Sequence, residues 1–521
     1  MRTKKSILNF VTSFFPWLII AIIGFPKIQL FISNYGSELN GFTQLIYQIF
    51  SYFGLAEMGF GSAITYKLYK LFAEDDKEKI SSVFVGAVKI YKKIGLIIFS
   101  LGILLAFFST IILKNNEISQ LDIFVIIVLN SIDYLLIYLL LMPYQTLLIA
   151  DQKKYKVNVI LNTKILLFKL VELLLIALKV EYILIVILGI IFNLISNYLV
   201  VKQTLKNYPW LNKKSVPDYS TIVMTKDVFI HKISRIVFNN TDAILLSLFK
   251  GGLLNVSIYS SYNYIMSYLT QIHDYILNSP LESFGNLLAN TKENKKKKKY
   301  IFNEYQSLSI FISIFFSSMF YISIFSFIKV WLGEEYIVSN IIILFFTSIL
   351  FIKCMYGPVY SMISAAGKFK ETKSVTIIAA ITNVLLSSLL VKKYQISGVL
   401  FATVFSELFI IMPYYVKCIY KDVLDENKIS FYKKFFYSLL IIICLVQIDK
   451  LLIKILSLYS VASYLNWFIS STILGIMNVI IIFLALYFTM KSFKALILRL
   501  KKEVKKWKLV LSARYITKKN I

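Results

Sequence analysis

Blocks of twenty or more apolar residues recur along the whole chain, separated by polar connections rich in lysine. A water-soluble core has no place for so many such blocks, whereas a helix of about 20 apolar residues crosses the hydrocarbon of a bilayer. Of the 521 residues, 58% are hydrophobic and 16% aromatic, and mean hydropathy is +0.71. The chain therefore reads as an all-α polytopic membrane protein. Hydropathy predicts about fourteen transmembrane helices. Their cores fall at 8–33, 40–66, 86–113, 122–148, 158–178, 182–202, 228–249, 254–284, 303–331, 338–364, 374–391, 396–417, 434–456 and 463–489. The second is expected to break around Gly54, Gly59 and Gly61, and the eighth around Pro280. MRTKK before the first apolar run resembles a signal peptide's charged region, but no small-residue cleavage site follows. The first block is expected to remain a span.

Charge sets the orientation. Net charge is +29, from 57 Lys and Arg against 28 Asp and Glu. The lysines collect in alternate connections: Lys67, Lys70, Lys77 and Lys79; Lys153, Lys154 and Lys156; Lys202 to Lys214; Lys292 to Lys299; Lys368 to Lys373; Lys417 to Lys428. The other connections, such as NYGSEL at 34–39 and the one with Glu334 and Glu335, are neutral or acidic. Lys392 and Lys393 are the exception. The positive-inside rule then puts both termini in the cytoplasm and explains the charge without a nucleic-acid partner. The basic, Leu- and Trp-containing tail after 490 is expected to lie on anionic inner-leaflet lipids.

Several chemistries are excluded. Cys354, Cys418 and Cys444 show no paired spacing and read as small core residues. Two histidines in the chain argue against a His-based metal centre. There is no phosphate-binding Gly-x-x-x-x-Gly-Lys motif, and no Ser-His-Asp pattern stands out. A membrane-embedded glycosyltransferase or polymerase would show a large acidic outer loop, which is missing. The chain does not read as an enzyme.

A repeat runs at an offset of 215 residues. Gly36, Leu39, Asn40 and Tyr47 map onto Gly251, Leu254, Asn255 and Tyr262, and Pro143 and Lys153 onto Pro358 and Lys368. The offset lays spans 1–6 on spans 7–12 in the same sense, which predicts two pseudo-twofold-related six-helix lobes around a central cavity. The expected divisions are an N-terminal lobe at 1–203, a cytoplasmic linker at 204–225, a C-terminal lobe at 226–418, two extra helices at 431–490 and a basic cytoplasmic tail at 491–521.

Polar residues inside spans mark the candidate site. Residues 226–251 read KDVFIHKISRIVFNNTDAILLSLFKG. His231, Lys232, Arg235, Asn239 and Asp242 share a sector of roughly 100° on one helix. Arg235 lies about 14 Å in, near the midplane, where an ionised side chain costs on the order of 3 kcal/mol. Asp242 is about 10 Å further along, too far to neutralise it. Each needs an interhelical ion pair, a wet cavity or an anionic ligand, and a cavity is favoured. Span eight carries Ser260, Asn263, Tyr264, Ser267, Gln271, Asp274 and Asn278 on one face, readable as a lined pathway or as polar glue between helices. Span two carries Gln44, Gln48, Ser51, Ser62 and Tyr66, with Glu57 opposite. Lys169 and Glu172 suit a local ion pair, and Lys27 is placed to snorkel.

LAEMGFGSAITYKLYKLFAEDDKEKI (55–80), NNTDAILLSLF and IYSSYNYI resemble polysaccharide flippases of the Wzx type, within the multidrug/oligosaccharidyl-lipid/polysaccharide exporter superfamily. The resemblance implies a bacterial inner-membrane transporter that turns undecaprenyl-pyrophosphate-linked oligosaccharide to the outer leaflet for capsule, O-antigen or exopolysaccharide synthesis. It implies alternating access, no cofactor beyond a coupling Na+ or H+, and glycosyltransferases and a polysaccharide polymerase as partners. Arg235 with Lys232 suits the pyrophosphate, while spans two and eight offer hydroxyl, amide and carboxylate groups to the sugar. Lipid II flippases and multidrug exporters of the same superfamily are the alternatives. The former usually carry several cavity arginines, and the latter usually stop at twelve spans.

Overall fold

The computed structural model describes residues 2–54, 60–113, 117–219, 226–249, 251–278 and 295–502. These residues are helical almost throughout, and no strand occurs among them. In order the helices are α1 (Arg2–Tyr35), α2 (Ser37–Phe53), α3 (Phe60–Ala73), α4 (Lys77–Ile112), α5 (Gln120–Leu136), α6 (Met142–Ala150), α7 (Lys154–Ala177) and α8 (Tyr182–Asn207). Then follow α9 (Lys226–Ser247), α10 (Gly252–Asn278), α11 (Lys295–Trp331), α12 (Asn340–Ala365), α13 (Phe369–Ser406), α14 (Met412–Asp422), α15 (Ile429–Ile455) and α16 (Tyr464–Thr489). Helix is the only open-ended way to satisfy backbone groups in lipid, so the uniformity follows from the hydropathy.

Nine stretches among the described residues are long and apolar enough to cross a membrane. One of them, Phe369–Asp422, spans two predicted helices and contains a left-handed residue, Gln395 (φ 46°), between them. The remaining predicted spans correspond to α2–α3, α7, α9 and α10, which carry the breaks and polar residues singled out above. α2 is described to Phe53 with Gly54 as its cap, and α3 from Phe60; residues 55–59, where the break in span two is expected, lie outside the described residues. The expected break at Pro280 lies outside the described residues.

Two five-residue π turns, Ile137–Leu141 and Glu407–Ile411, each run into a Met-Pro pair, Met142-Pro143 and Met412-Pro413. A proline ring crowds the preceding turn and gives no N–H, so the ladder widens ahead of it. The 215-residue repeat is written into the helix ends. Gly36 (φ 86°) and Gly251 (φ 71°) both take left-handed turns that favour glycine. Lys154 and Phe369 begin helices, and Asn207 and Asp422 end them, at the same offset.

The chain forms two compact units, Met1–Ser261 with Val384–Val399, and Tyr262–Asn383 with Leu400–Ile521. In the first, α7 lies along α1, α4 along α5, and α2 along α9. Its core gathers Ile80, Phe84, Tyr91, Tyr138, Leu148 and Val200. Gly41 lets α2 approach the start of α10 closely, since a Cβ there would lie 1.8 Å from the Leu253 carbonyl oxygen. Asn40 Nδ2 donates to Ser257 Oγ at 2.7 Å across the same contact. In the second unit α11 is the central helix, packed by α12, α15 and α16. Asn478 Nδ2 donates to Asp449 Oδ2 at 2.9 Å and joins α16 to α15.

Both units expose large apolar side chains, among them Leu170, Leu174, Ile195, Phe409, Leu440 and Phe488. Acyl chains, not water, suit such faces. Cys354 and Cys418 are buried as expected, but Cys444 is exposed on α15 and is no core residue. After the extended Met490, residues 491–502 form a further helical stretch, with Phe493 and Leu496 buried and Arg499 2.8 Å from the buried Glu304 of α11. This part of the tail docks on the protein as well as being basic.

Candidate functional site

α9 places the first group of candidate residues. Because α2 packs along one side of it, the polar sector does not face a single environment. His231 and Asp242 are buried, Arg235 is half-buried, and Asn239 is exposed. His231 and Arg235 stand one helical turn apart, on the same face. The side chain of Lys232 lies outside the described residues, as does Glu57. Asp242 accepts a hydrogen bond from the Tyr259 hydroxyl of α10 at 3.1 Å. One residue earlier, the Tyr52 hydroxyl of α2 meets Thr241 Oγ1 at 2.7 Å. Gln48, on α2, is half-buried, and its backbone carbonyl oxygen accepts from Ser51 Oγ. The structure thus divides the sector: Asp242 is buried beside Tyr259, Arg235 is half-buried with its Nη1 enclosed, and Asn239 is exposed.

The second group lies on α10 within the other unit. Tyr264 packs edge-on against Tyr268, with ring centroids 4.7 Å apart. Ser267 is half-buried and Gln271 exposed, and Gln271 Nε2 donates to the Ser267 carbonyl at 3.3 Å. Asp274 is exposed and contacts His273 Nδ1 at 3.2 Å. The stripe read from the sequence is therefore accessible at Gln271 and Asp274.

Sequence reasoning missed two clusters. In the first unit Asn193 Nδ2 of α8 donates to both carboxylate oxygens of Asp133 on α5, at 2.9 and 2.8 Å. Lys164 of α7 donates to Asn193 Oδ1, and Lys27 of α1 pairs with Glu172 of α7 at 2.8 Å. Asn130, Asp133, Glu172, Tyr182 and Asn193 line a cavity of about 170 Å³ there. Glu172 thus takes its cation from α1 instead of the expected Lys169, and Lys27 is an ion-pair partner, not merely a snorkelling residue. Asp133 and Asn193 sat unremarked in apolar runs, although buried polar groups in a span are themselves a signal. The second cluster joins Asp274, His273 and Ser309 in a hydrogen-bonded chain. Ser309 gives its proton to the Cys354 carbonyl at 2.6 Å, so it is not poised as a nucleophile.

No family profile and no curated protein matches the chain. Among solved structures, the chain is similar to the lipid II flippase MurJ in an inward closed conformation. That likeness has a TM-score of 0.65 and 16% identity, and covers 93% of this chain and 99% of the other. It is also similar to an inward-facing multidrug resistance MATE family transporter of the MOP superfamily, with a TM-score of 0.58 and 12% identity over 81% of this chain and 95% of that one. At these identities it is the fold that is shared. The chain has the multi-pass, all-helical fold found in that lipid II flippase and that MATE transporter.

Proposed function

We propose that the protein is a flippase for undecaprenyl-pyrophosphate-linked oligosaccharide in the bacterial cytoplasmic membrane, with both termini in the cytoplasm. The observation that carries this reading is a half-buried arginine on α9 in a fold like that of a flippase of a lipid-linked substrate. Arg235 is the pyrophosphate contact: guanidinium is always charged and offers two parallel hydrogen bonds to phosphate oxygens. Lys232 and His231 supplement it. Asn239, Gln48, Tyr264, Ser267, Gln271 and Asp274 are of the chemistry that sugar hydroxyls need, and Asp242 and Glu57 add carboxylates. The isoprenoid tail stays in lipid, where the exposed apolar faces are at home. Movement is by alternating access, driven by Na+ or H+. The polysaccharide polymerase and glycosyltransferases of the same route are its partners.

The MurJ likeness supports a second reading, transport of lipid II itself, and the MATE likeness a third, export of drugs. One experiment separates the three. Purified protein in liposomes is given fluorescent undecaprenyl-pyrophosphate oligosaccharide, lipid II and a cationic dye in parallel. The proposal expects movement of the oligosaccharide lipid, reduced at least tenfold in Arg235→Gln. Movement of lipid II or dye alone would overturn it.

A further inference from the structure

The second unit holds a chain of hydrogen bonds whose proton count does not balance. His273, near the end of α10, is 1% exposed. Its Nε2 is 2.8 Å from Ser309 Oγ of α11, and its Nδ1 is 3.2 Å from Asp274 Oδ1. Ser309 Oγ is also 2.6 Å from the backbone carbonyl oxygen of Cys354 on α12. A carbonyl oxygen can only accept, so the single hydroxyl proton of Ser309 goes to Cys354. Ser309 then has only lone pairs for the ring, so Nε2 must carry a hydrogen and donate it. A neutral imidazole has one N–H, already used at Nε2. Nδ1 would then set a lone pair against a carboxylate oxygen, which is no hydrogen bond unless another proton lies between them.

We infer that His273 and Asp274 form a proton-binding site, holding one proton between Nδ1 and the carboxylate beyond what a neutral histidine and an ionised aspartate would hold. The surroundings fit that task. Gly357 of α12 makes room for the ring, since a Cβ there would lie 2.7 Å from His273 Cε1. From α11, Tyr305 faces the same region with its hydroxyl committed to the Leu277 carbonyl at 2.7 Å. From α12 come Lys353, half-buried, and Cys354, fully buried; Tyr275 is the other titratable group beside the pair on α10. The ring end is closed, while the Asp274 side chain is 54% exposed, so the shared proton has a route to water on one side only. Anything that contacts Asp274 must alter proton affinity, and protonation alters the charge Asp274 presents, by reciprocal linkage.

The test uses the fact that the chain has only two histidines, His231 and His273. Full-length protein carrying 15N-labelled histidine is purified in detergent, and its two ring spectra are followed by NMR as pH is raised. His273→Gln assigns the signals. The expected wild-type spectrum has a protonated Nε2 and a proton-sharing Nδ1, and Asp274→Asn lowers affinity for the shared proton about tenfold or more. A wild-type ring with hydrogen on one nitrogen and the other bare would overturn the inference, whichever nitrogen is bare, as would identical titrations in wild type and Asp274→Asn. Should Asp274→Asn fail to fold, the wild-type spectrum decides the tautomer alone. No transport substrate enters the measurement, so its outcome is independent of the proposed function.

Discussion

Lys27 of α1 and Glu172 of α7 form an ion pair of 2.8 Å between two helices that lie along each other. The carboxylate is almost enclosed and the ammonium a quarter exposed. Removing one member leaves the other charged in a poorly hydrated place, whereas exchanging the two preserves the pair. Glu172→Gln is expected to cost about 1–3 kcal/mol, less than for a fully buried pair because Lys27 keeps some water. The charge-swapped double variant Lys27→Glu/Glu172→Lys should recover most of it. Thermal melting of the purified variants is the check.

Gly41 is expected to be intolerant of even one added carbon. A methyl group there would meet the Leu253 carbonyl at 1.8 Å and push α2 away from the start of α10. Gly41→Ala should destabilise by about 1–3 kcal/mol despite the better helix propensity of alanine. Gly54→Ala, with nothing within 4 Å of its Cβ position among the described residues, is the control and should lie within about 1 kcal/mol of wild type.

Arg235 separates a ligand site from a packing site. If its role is phosphate binding, Arg235→Gln keeps the melting temperature and loses affinity for undecaprenyl pyrophosphate at least tenfold. Arg235→Lys, which keeps charge but not the fork, should retain part of that affinity. A lowered melting temperature with normal binding would assign Arg235 to structure.

Topology is open to direct labelling. The proposed orientation would put Lys79 in the cytoplasm and Glu335 outside, and both residues are exposed. In intact cells an impermeant thiol reagent should label Glu335→Cys and spare Lys79→Cys until the membrane is opened. The reverse result would invert the chain.

Acid should loosen the entry to α4 first. Asp76 caps that helix, accepting from the Lys79 backbone N–H at 3.0 Å, and the Lys79 side chain with that bond holds its carboxyl below the usual range. A depressed carboxyl contributes stability above its unfolded value and loses it as pH falls through the folded one. Hydrogen exchange in 77–81 should therefore rise below the ordinary range of aspartate in wild type, and the rise should flatten in Asp76→Asn.

Helix content, the apolar spans and the 215-residue repeat were legible in the sequence because each depends on local composition. Twenty apolar residues have one solution in lipid, and a glycine in a left-handed turn recurs wherever the repeat recurs. The polar positions of α9 and α10 were legible too, since a polar residue in a span stands out against its neighbours. Their partners were not. Periodicity gives the direction of a side chain around its own helix but not which helix lies there. Glu172 therefore looked paired with Lys169 one turn away until the packing of α1 on α7 brought in Lys27. The Tyr259 hydroxyl on Asp242, and the Ser309 and Cys354 carbonyl that α11 and α12 bring to His273, are likewise set by packing and not by spacing. The sequence by itself determined that the chain is a bundle of membrane helices and which spans carry polarity. Only the tertiary structure decided which polar groups satisfy one another, because hydrogen bonds between helices depend on distances that no spacing along the chain contains.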